Sequence, residues 1–337
     1  MKKFVIFLIL GFCTTVHSFS VLSSVLNVYS HRQPFLIDPF LKAFEQATGT
    51  KMNVVFADKG LVQRLRAEGA RSPADVILTV DIARLSAYVD NGLFAKIFSP
   101  KLNQNIPSHL RDDGGRWFGL SLRARVVAIA RGRVKSDEIK RIEDLAKLKW
   151  KGRICTRPGS HVYNRALLAS IIAANGEEAA EAWATGLVRN LARRPQGNDR
   201  AQAKAIYQGI CDVAIMNSYY FGYMKNSDKA EQKKWADALE IVFTNQGDRG
   251  NHVNISGGGI AKYSRNKKLA VKFLEFLSEN QAQKLFGRIN YELPVNPEAD
   301  AATNVKMWAK FKRDDQSINK IADLTPLAQK IIDRVGW

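Results

Sequence analysis

Between Val25 and Val80 the chain alternates short apolar runs with helical patterns, and this alternation restricts its fold more than any other feature. "VLNVYS" (Val25–Ser30), "KMNVVFA" (Lys51–Ala57) and "ADVILTV" (Ala74–Val80) read as strands. Between them, "PFLKAFEQATG" (Pro39–Gly49) places Phe40, Leu41, Phe44 and Ala47 on one helical face and ends in glycine. "LVQRLRAEGA" reads as a second helix, and Asp81 stands where it can cap a third. Strands separated by helices cannot be joined by tight hairpins. They require crossovers, and crossovers produce a parallel sheet with helices on its faces.

The pattern resumes further along. "WFGLSLRARVVAIAR" (Trp117–Arg131) is long and strand-rich, and reads as the passage from one domain to another. "RALLASIIAANG" is a helix, "CDVAIMN" (Cys211–Asn217) a strand and "LEIVFTNQG" another. "HVNISGGGIAKY" brings the chain back, with the glycines of "SGGGI" (Ser256–Ile260) read as a close backbone approach between two strands. "NKKLAVKFLEFLSENQAQKLFGRI" reads as one long amphipathic helix. The predicted architecture is an α/β two-domain clamshell of the periplasmic-binding-protein kind. Its hinge strands cross between domains, and ligand binds in the interdomain cleft, at the carboxyl ends of parallel strands. Residues 19–121 plus about 250–300 form one lobe and about 122–249 the other, and helices in about 301–337 pack on both. The 337 residues, 46% of them hydrophobic, suffice for two cores.

The N-terminus sets the compartment. "MKKFVIFLILGFCTTVHSFS" combines two lysines, an apolar run and small residues at Val16 and Ser18. Residues 1–18 therefore read as a cleaved signal peptide, because the run is too short to span a bilayer. Cys13 follows the bulky Phe12 and fits a lipidation site poorly. The expected product is periplasmic, monomeric and not inserted in the membrane. Cys155 and Cys211 remain after cleavage; in an oxidising compartment they suggest a disulfide, against the alternative of two buried thiols. The net charge of +19 points to an anionic partner, but the basic residues are scattered, which argues against nucleic acid.

No motif supports an enzyme. His31, His109, His161 and His252 show no metalloprotease spacing, and there is neither a nucleophile elbow nor a phosphate-binding loop. The informative residues lie where strands end. "YSHRQPF" follows the first strand. "TRPGSHVYN" (Thr156–Asn164) leads into a predicted helix near Tyr163, where free backbone N–H groups suit an anion. Asn198 or Asp199 is placed to cap the helix "RAQAKAIYQG". "NSYYFGYM" supplies adjacent phenols, Tyr219 and Tyr220. A phenolate is a hard anionic donor suited to a hard cation such as Fe(III), whereas softer metals would call for Cys or His clusters. Three phenolates balance one Fe(III), and a bidentate anion beside arginines can complete its coordination.

These residues carry a resemblance. "VYSHRQPFLIDPFLKAFEQATG", "GRICTRPGSHVYN", "GICDVAIMNSYYFGYM" and "KFLEFLSENQAQKLFGRINYELPVNP" together resemble the periplasmic ferric-iron-binding proteins of ABC importers, from about Asn27 nearly to the C-terminus. The resemblance implies Tyr163, Tyr219 and Tyr220 as iron ligands and an inner-membrane ABC permease as partner. Where branches of the family carry a first-loop histidine or tyrosine, this chain reads Arg32-Gln33-Pro34, and His31 lies two positions too early. It therefore resembles the three-tyrosine branch with a synergistic anion, carbonate or bicarbonate. Arg32, Gln33, Ser160 and Arg123 are the implied anion-binding or surrounding residues. Arg123 and Arg125 alternate on one strand and face the same side. Tyr29, Tyr223 and Tyr291 read as structural, and His31 as a surface residue. The competing expectation is a binder of another anionic or organic solute, such as a phosphate ester or polyamine.

Overall fold

The structure is a computed structural model describing residues 24–337. The signal-peptide expectation for residues 1–18, and Cys13 with it, lies outside the described residues. Eight strands are present among them: β1 (Val25–Ser30), β2 (Lys51–Phe56), β3 (Val76–Thr79), β4 (Phe118–Ala130), β5 (Ile154–Cys155), β6 (Val213–Asn217), β7 (Leu239–Val242) and β8 (Val253–Ile260). They run in the order β2-β1-β3-β8-β4-β6-β5, with β7 also on β4. β1 is parallel to β2 and β3, and β5 is parallel to β6, as crossover connections demand.

β4 joins the two halves. Its first part, Phe118 to Ala124, pairs antiparallel with β8; its second part, from Arg125 on, pairs with β6 and β7. All of its residues are buried, which explains a sequence without alternation. β8 returns the chain between β3 and β4. Two α/β bodies linked by crossing strands make the two-domain clamshell. Helix Ile318–Asp323, the last but one, packs on helices of both bodies, Ile82–Asp90 and Val162–Asn175.

Three sequence expectations are corrected. The glycines of "SGGGI" lie inside β8, not between two strands. A Cβ on Gly257 or Gly258 would come 2.7 Å from the Phe118 or Ile77 carbonyl oxygen, and on Gly259 2.3 Å from that of Arg116, so the close approach is real. The long amphipathic helix is two helices, Lys267–Ser278 and Asn280–Asn290, because Glu279 is extended (ψ 157°). The first helix begins at Pro34, not Pro39, and ends at Gly49 in the left-handed region (φ 69°).

Cys155 and Cys211 form a disulfide that ties the end of β5 to the approach to β6. Each strand goes on to deliver a tyrosine-bearing helix. The Cys155–Cys211 pair and the Tyr163–Tyr219 pair have the same separation, 56 residues. Replacing both cysteines with alanine should cost about 3 kcal/mol, because the open loop regains conformational freedom when unfolded. A urea titration of the oxidised protein against the double variant checks this, and equal midpoints would refute it.

Candidate metal centre

Two helix starts build the centre. Helix Val162–Asn175 begins beyond β5 and is capped by His161, whose ring Nδ1 accepts the Tyr163 backbone N–H at 3.2 Å. Helix Ser218–Lys225 begins directly at the end of β6, which puts Tyr219 and Tyr220 in its first turn. The Tyr163 and Tyr219 hydroxyl oxygens lie 3.3 Å apart. The Tyr220 ring stacks on Tyr219, with centroids 4.4 Å apart and planes at 28°. These side chains face a cavity of about 250 Å³ whose opposite wall carries His31, Arg32 and Gln33.

The walls are cationic. Arg32, Arg84, Arg123 and Arg200 line the cavity, against the carboxylates Asp58 and Glu292. The guanidinium carbons of Arg157, Arg123 and Arg125 surround the Tyr163 ring, 5.2, 5.4 and 5.9 Å from its centroid. Arg125 and Arg157 are held by Asp199 through bonds of 2.7 and 3.3 Å. Burial pushes the Tyr219 phenol well above its usual range, reinforced by Tyr163 and Tyr220; burial likewise raises Tyr220, with Asp199 next. His161 is pulled down to about 3, first by burial and then by Arg157 and Arg125, so it is neutral beside the phenols.

The sequence-nominated residues divide by position. Tyr163, Tyr219, Tyr220, Arg32, Gln33 and Arg123 all line the cavity, while Ser160 is exposed and outside its lining. Arg32 donates to Glu292 Oε2 at 2.9 Å. Arg123 donates to Ser256 Oγ at 2.7 Å and to the Ile255 carbonyl at 2.9 Å. Arg125 points behind the centre, to Asp199 and Asn164. Asp81 caps its helix by accepting the Ala83 N–H at 2.8 Å. Asn198 caps helix Asp199–Tyr207, which frees Asp199 for its arginines.

His31 is buried rather than a surface residue. Its Nδ1 meets the Ala57 carbonyl at 2.8 Å, so that nitrogen carries the proton; its Nε2 then accepts the Tyr88 hydroxyl at 2.7 Å. No lone pair is left for a metal. Burial, aided by Arg84, lowers its pKa to about 4 and keeps it neutral.

Sequence reasoning missed Arg84, Arg200 and Glu292 in the lining, and set Tyr223 aside as structural. Tyr223 lies four residues after Tyr219 on the same helix, hence on the same face. That signal was available only once a helix was recognised there. A wider surface hollow, about 930 Å³, lies beside Lys284, Lys306 and Arg313; no tyrosine or histidine lines it. Among the described residues no cluster of three His, Cys, Asp or Glu side chains could hold a metal, so the convergent donors are phenols. No helix of the described residues is long and apolar enough to cross a membrane.

A cleft between two lobes, lined by convergent polar groups, defines a ligand-binding protein of the clamshell class. The chain belongs to the bacterial extracellular solute-binding protein family, which it matches over residues 71–319. It is 42% identical to iron uptake protein A1 of Synechocystis, over 93% of this chain and 87% of that one. It superposes on ferric iron-binding protein A of Mannheimia haemolytica in an open conformation with TM-score 0.88 and 47% identity, covering 93% of this chain and 98% of that one. A Trichodesmium protein in complex with iron and citrate ligands gives TM-score 0.90 at 43% identity, covering 93% and 100%.

Proposed function

We propose that this protein captures Fe(III) in the interdomain cleft through the oxygens of Tyr163, Tyr219 and Tyr220. Carbonate or bicarbonate acts as synergistic anion. The loaded protein, a periplasmic monomer freed of its signal peptide, delivers iron to an inner-membrane ABC permease. The observation that carries this reading is the convergence of phenols from two separate helix starts, with two oxygens 3.3 Å apart. Three phenolates neutralise Fe(III), and the arginine excess in the lining is left to meet an anion. Arg32, Gln33, Arg123 and Ser160 are assigned to its surroundings. Two relatives named for iron and similar over nearly their full length support the cargo assignment. The cavity, about 250 Å³, is below the about 300–1,000 Å³ common for organic ligands, which favours an ion with a small anion over a phosphate ester or polyamine.

The lobes, which we divide near residues 121 and 250, close over the metal. The Arg32–Gln33 loop then meets iron already held by tyrosines of the other lobe, and the closed state is favoured by the contacts only it can make. Adding ferric citrate and bicarbonate to apo-protein should produce a visible tyrosinate-to-iron charge-transfer band; a colourless mixture would overturn the reading. Acid should reverse loading. Burial raises the pKa of Tyr219 and Tyr220, so both carry protons at neutral pH and iron must displace them. Below these pKa values the logarithm of the affinity should therefore rise with pH at a slope of at least about two, one proton for each of Tyr219 and Tyr220. Chelator competition between pH 5 and 8 measures it, and a flat profile would exclude phenolate ligation.

A further inference from the structure

We propose that Arg200 and Tyr223 form the direct binding site for the oxyanion that accompanies the metal, a role that rests on the ferric reading above. The arginines nearest to hand are already engaged. Arg32 is spent on Glu292, and Ser121 Oγ also donates to that carboxylate at 2.5 Å. Arg123 is bonded to Ser256 and to the Ile255 carbonyl. Arg84 pairs with Asp58 at 3.1 Å. Each of these contributes positive potential to the cavity, but its hydrogen-bonding edge is wholly or partly occupied by the protein.

Arg200 differs. It lines the same cavity, and among the described residues it forms no ion pair. Its guanidinium carbon stands 5.1 Å from the Tyr220 ring centroid and 5.8 Å from that of Tyr223, a stacked position that fixes the group without using its N–H donors. Its Nε is buried and has no hydrogen-bond partner. The Tyr223 hydroxyl, also in the lining, is buried and unpartnered too. A buried donor left without an acceptor is costly; Arg123 Nε shares that condition, but its two terminal nitrogens are bonded to Ser256 and Ile255, whereas Arg200 and Tyr223 keep their donors for acceptor oxygens in the cavity. Arg200 and Tyr223 come from neighbouring helices, Asp199–Tyr207 and Ser218–Lys225, and Tyr223 extends the helix face that carries Tyr219.

A planar O–C–O group fits these donors. The guanidinium fork takes such a group through parallel N–H bonds, and the phenol O–H adds a third donor. Carbonate and the carboxylate of a small polycarboxylic acid share this chemistry, and the anion would present its remaining oxygens to iron beside Tyr220. The metal would thus be held by phenolates of one lobe and an anion anchored on the same lobe, before the Arg32 loop closes.

The test loads apo wild type, Arg200→Gln, Arg200→Lys and Tyr223→Phe with Fe(III) in bicarbonate-free buffer, then titrates bicarbonate in one arm and citrate in the other. The charge-transfer band and its half-saturating anion concentration are read. Arg200→Gln should raise that concentration about tenfold or more, and Tyr223→Phe severalfold. Arg200→Lys, which keeps the charge and loses the fork, should fall between wild type and Arg200→Gln. An effect confined to the bicarbonate arm assigns the site to carbonate, and one confined to the citrate arm assigns it to a carboxylate. Thermal melts of the apo-proteins establish that each variant is folded; Tyr223→Phe, which keeps the ring, retains the test if Arg200→Gln is not. Unchanged anion dependence in folded variants, with a normal wild-type band, would overturn this inference alone. No band in wild type would overturn the ferric reading and this inference with it.

Discussion

Tyr219→Phe should lose at least about a hundredfold in ferric-iron affinity while keeping its fold. The substitution removes one oxygen and nothing else. The ring would still stack on Tyr220 at 4.4 Å and meet Tyr223 edge-on at 6.2 Å, so packing at the helix start is preserved. The lost hydroxyl is hydrogen-bonded to Tyr163, and dropping one such bond costs about 1 kcal/mol of stability. The proposed metal site would lose far more, because a hard cation would lose an anionic donor, and the carboxylates of the lining, Asp58 and Glu292, are already paired with Arg84 and Arg32. His31 cannot step in, since both its ring nitrogens are bonded within the protein. His161 cannot either, since its Nδ1 lone pair accepts the Tyr163 backbone N–H, which leaves the proton of the neutral ring on Nε2. Competition against a ferric chelator measures the loss, with a melt of the apo-protein as control. Wild-type affinity in the folded variant would remove Tyr219 from the ligand set. Tyr163→Phe and Tyr220→Phe should behave alike.

Local patterns in the sequence foretold the parts of this structure that local forces determine. β1 and β2 lie where the apolar runs placed them, to within a residue: β1 is largely buried, and β2, at the sheet edge, packs Met52, Val54 and Val55 against the core. The same local logic failed at Glu279. Helical periodicity continues through "FLSENQAQKLF", and one extended residue breaks the helix without disturbing the apolar spacing. At "SGGGI" it was half right: the close backbone approach is there, but the glycines lie within one strand rather than between two, because the neighbouring strands' carbonyls leave no room for a Cβ.

The candidate centre divides in the same way. Adjacent tyrosines at a strand end are visible in any reading, and the resemblance supplied Tyr163. The electrostatic surroundings were not visible. Glu292 meets Arg32 across 260 residues, and Asp199 meets Arg125 across 74. No spacing rule connects such pairs before the fold brings them together. Tyr223 was legible in principle, at helical distance from Tyr219, but only to a reader who knew that a helix starts at Ser218. The arginines "RAR" on β4 were correctly placed on one side of the strand, yet sequence could not say that Arg123 faces the cavity and Arg125 the network behind it.

That network carries the second large effect. Asp199→Ala should destabilise the protein by about 4 kcal/mol, in the range for breaking a buried ion pair. Asp199 is fully buried and Arg125 2% exposed, so neither can exchange its partner for water. One carboxylate accepts from Arg125 at 2.7 Å, from Arg157 at 3.3 Å and from the Asn217 backbone N–H at 2.9 Å. Its removal leaves two buried guanidinium groups without a counterion and a strand-end N–H without an acceptor. The damage also reaches the proposed ligands. Asn217 is the cap from which Tyr219 and Tyr220 start, Asn164 beside Tyr163 is bonded to Arg125 at 2.7 Å, and both arginines pack on the Tyr163 ring. Iron affinity should therefore fall together with the denaturation midpoint. Asp199→Asn, which keeps the shape and an acceptor oxygen, should fall between wild type and alanine in both respects. Asp300→Ala, which removes an exposed partner of Lys284, should shift neither. Urea titration and chelator competition on the same preparations decide the matter. A stable Asp199→Ala with wild-type iron binding would show that the phenols need no buried counterion to hold their arginines in place.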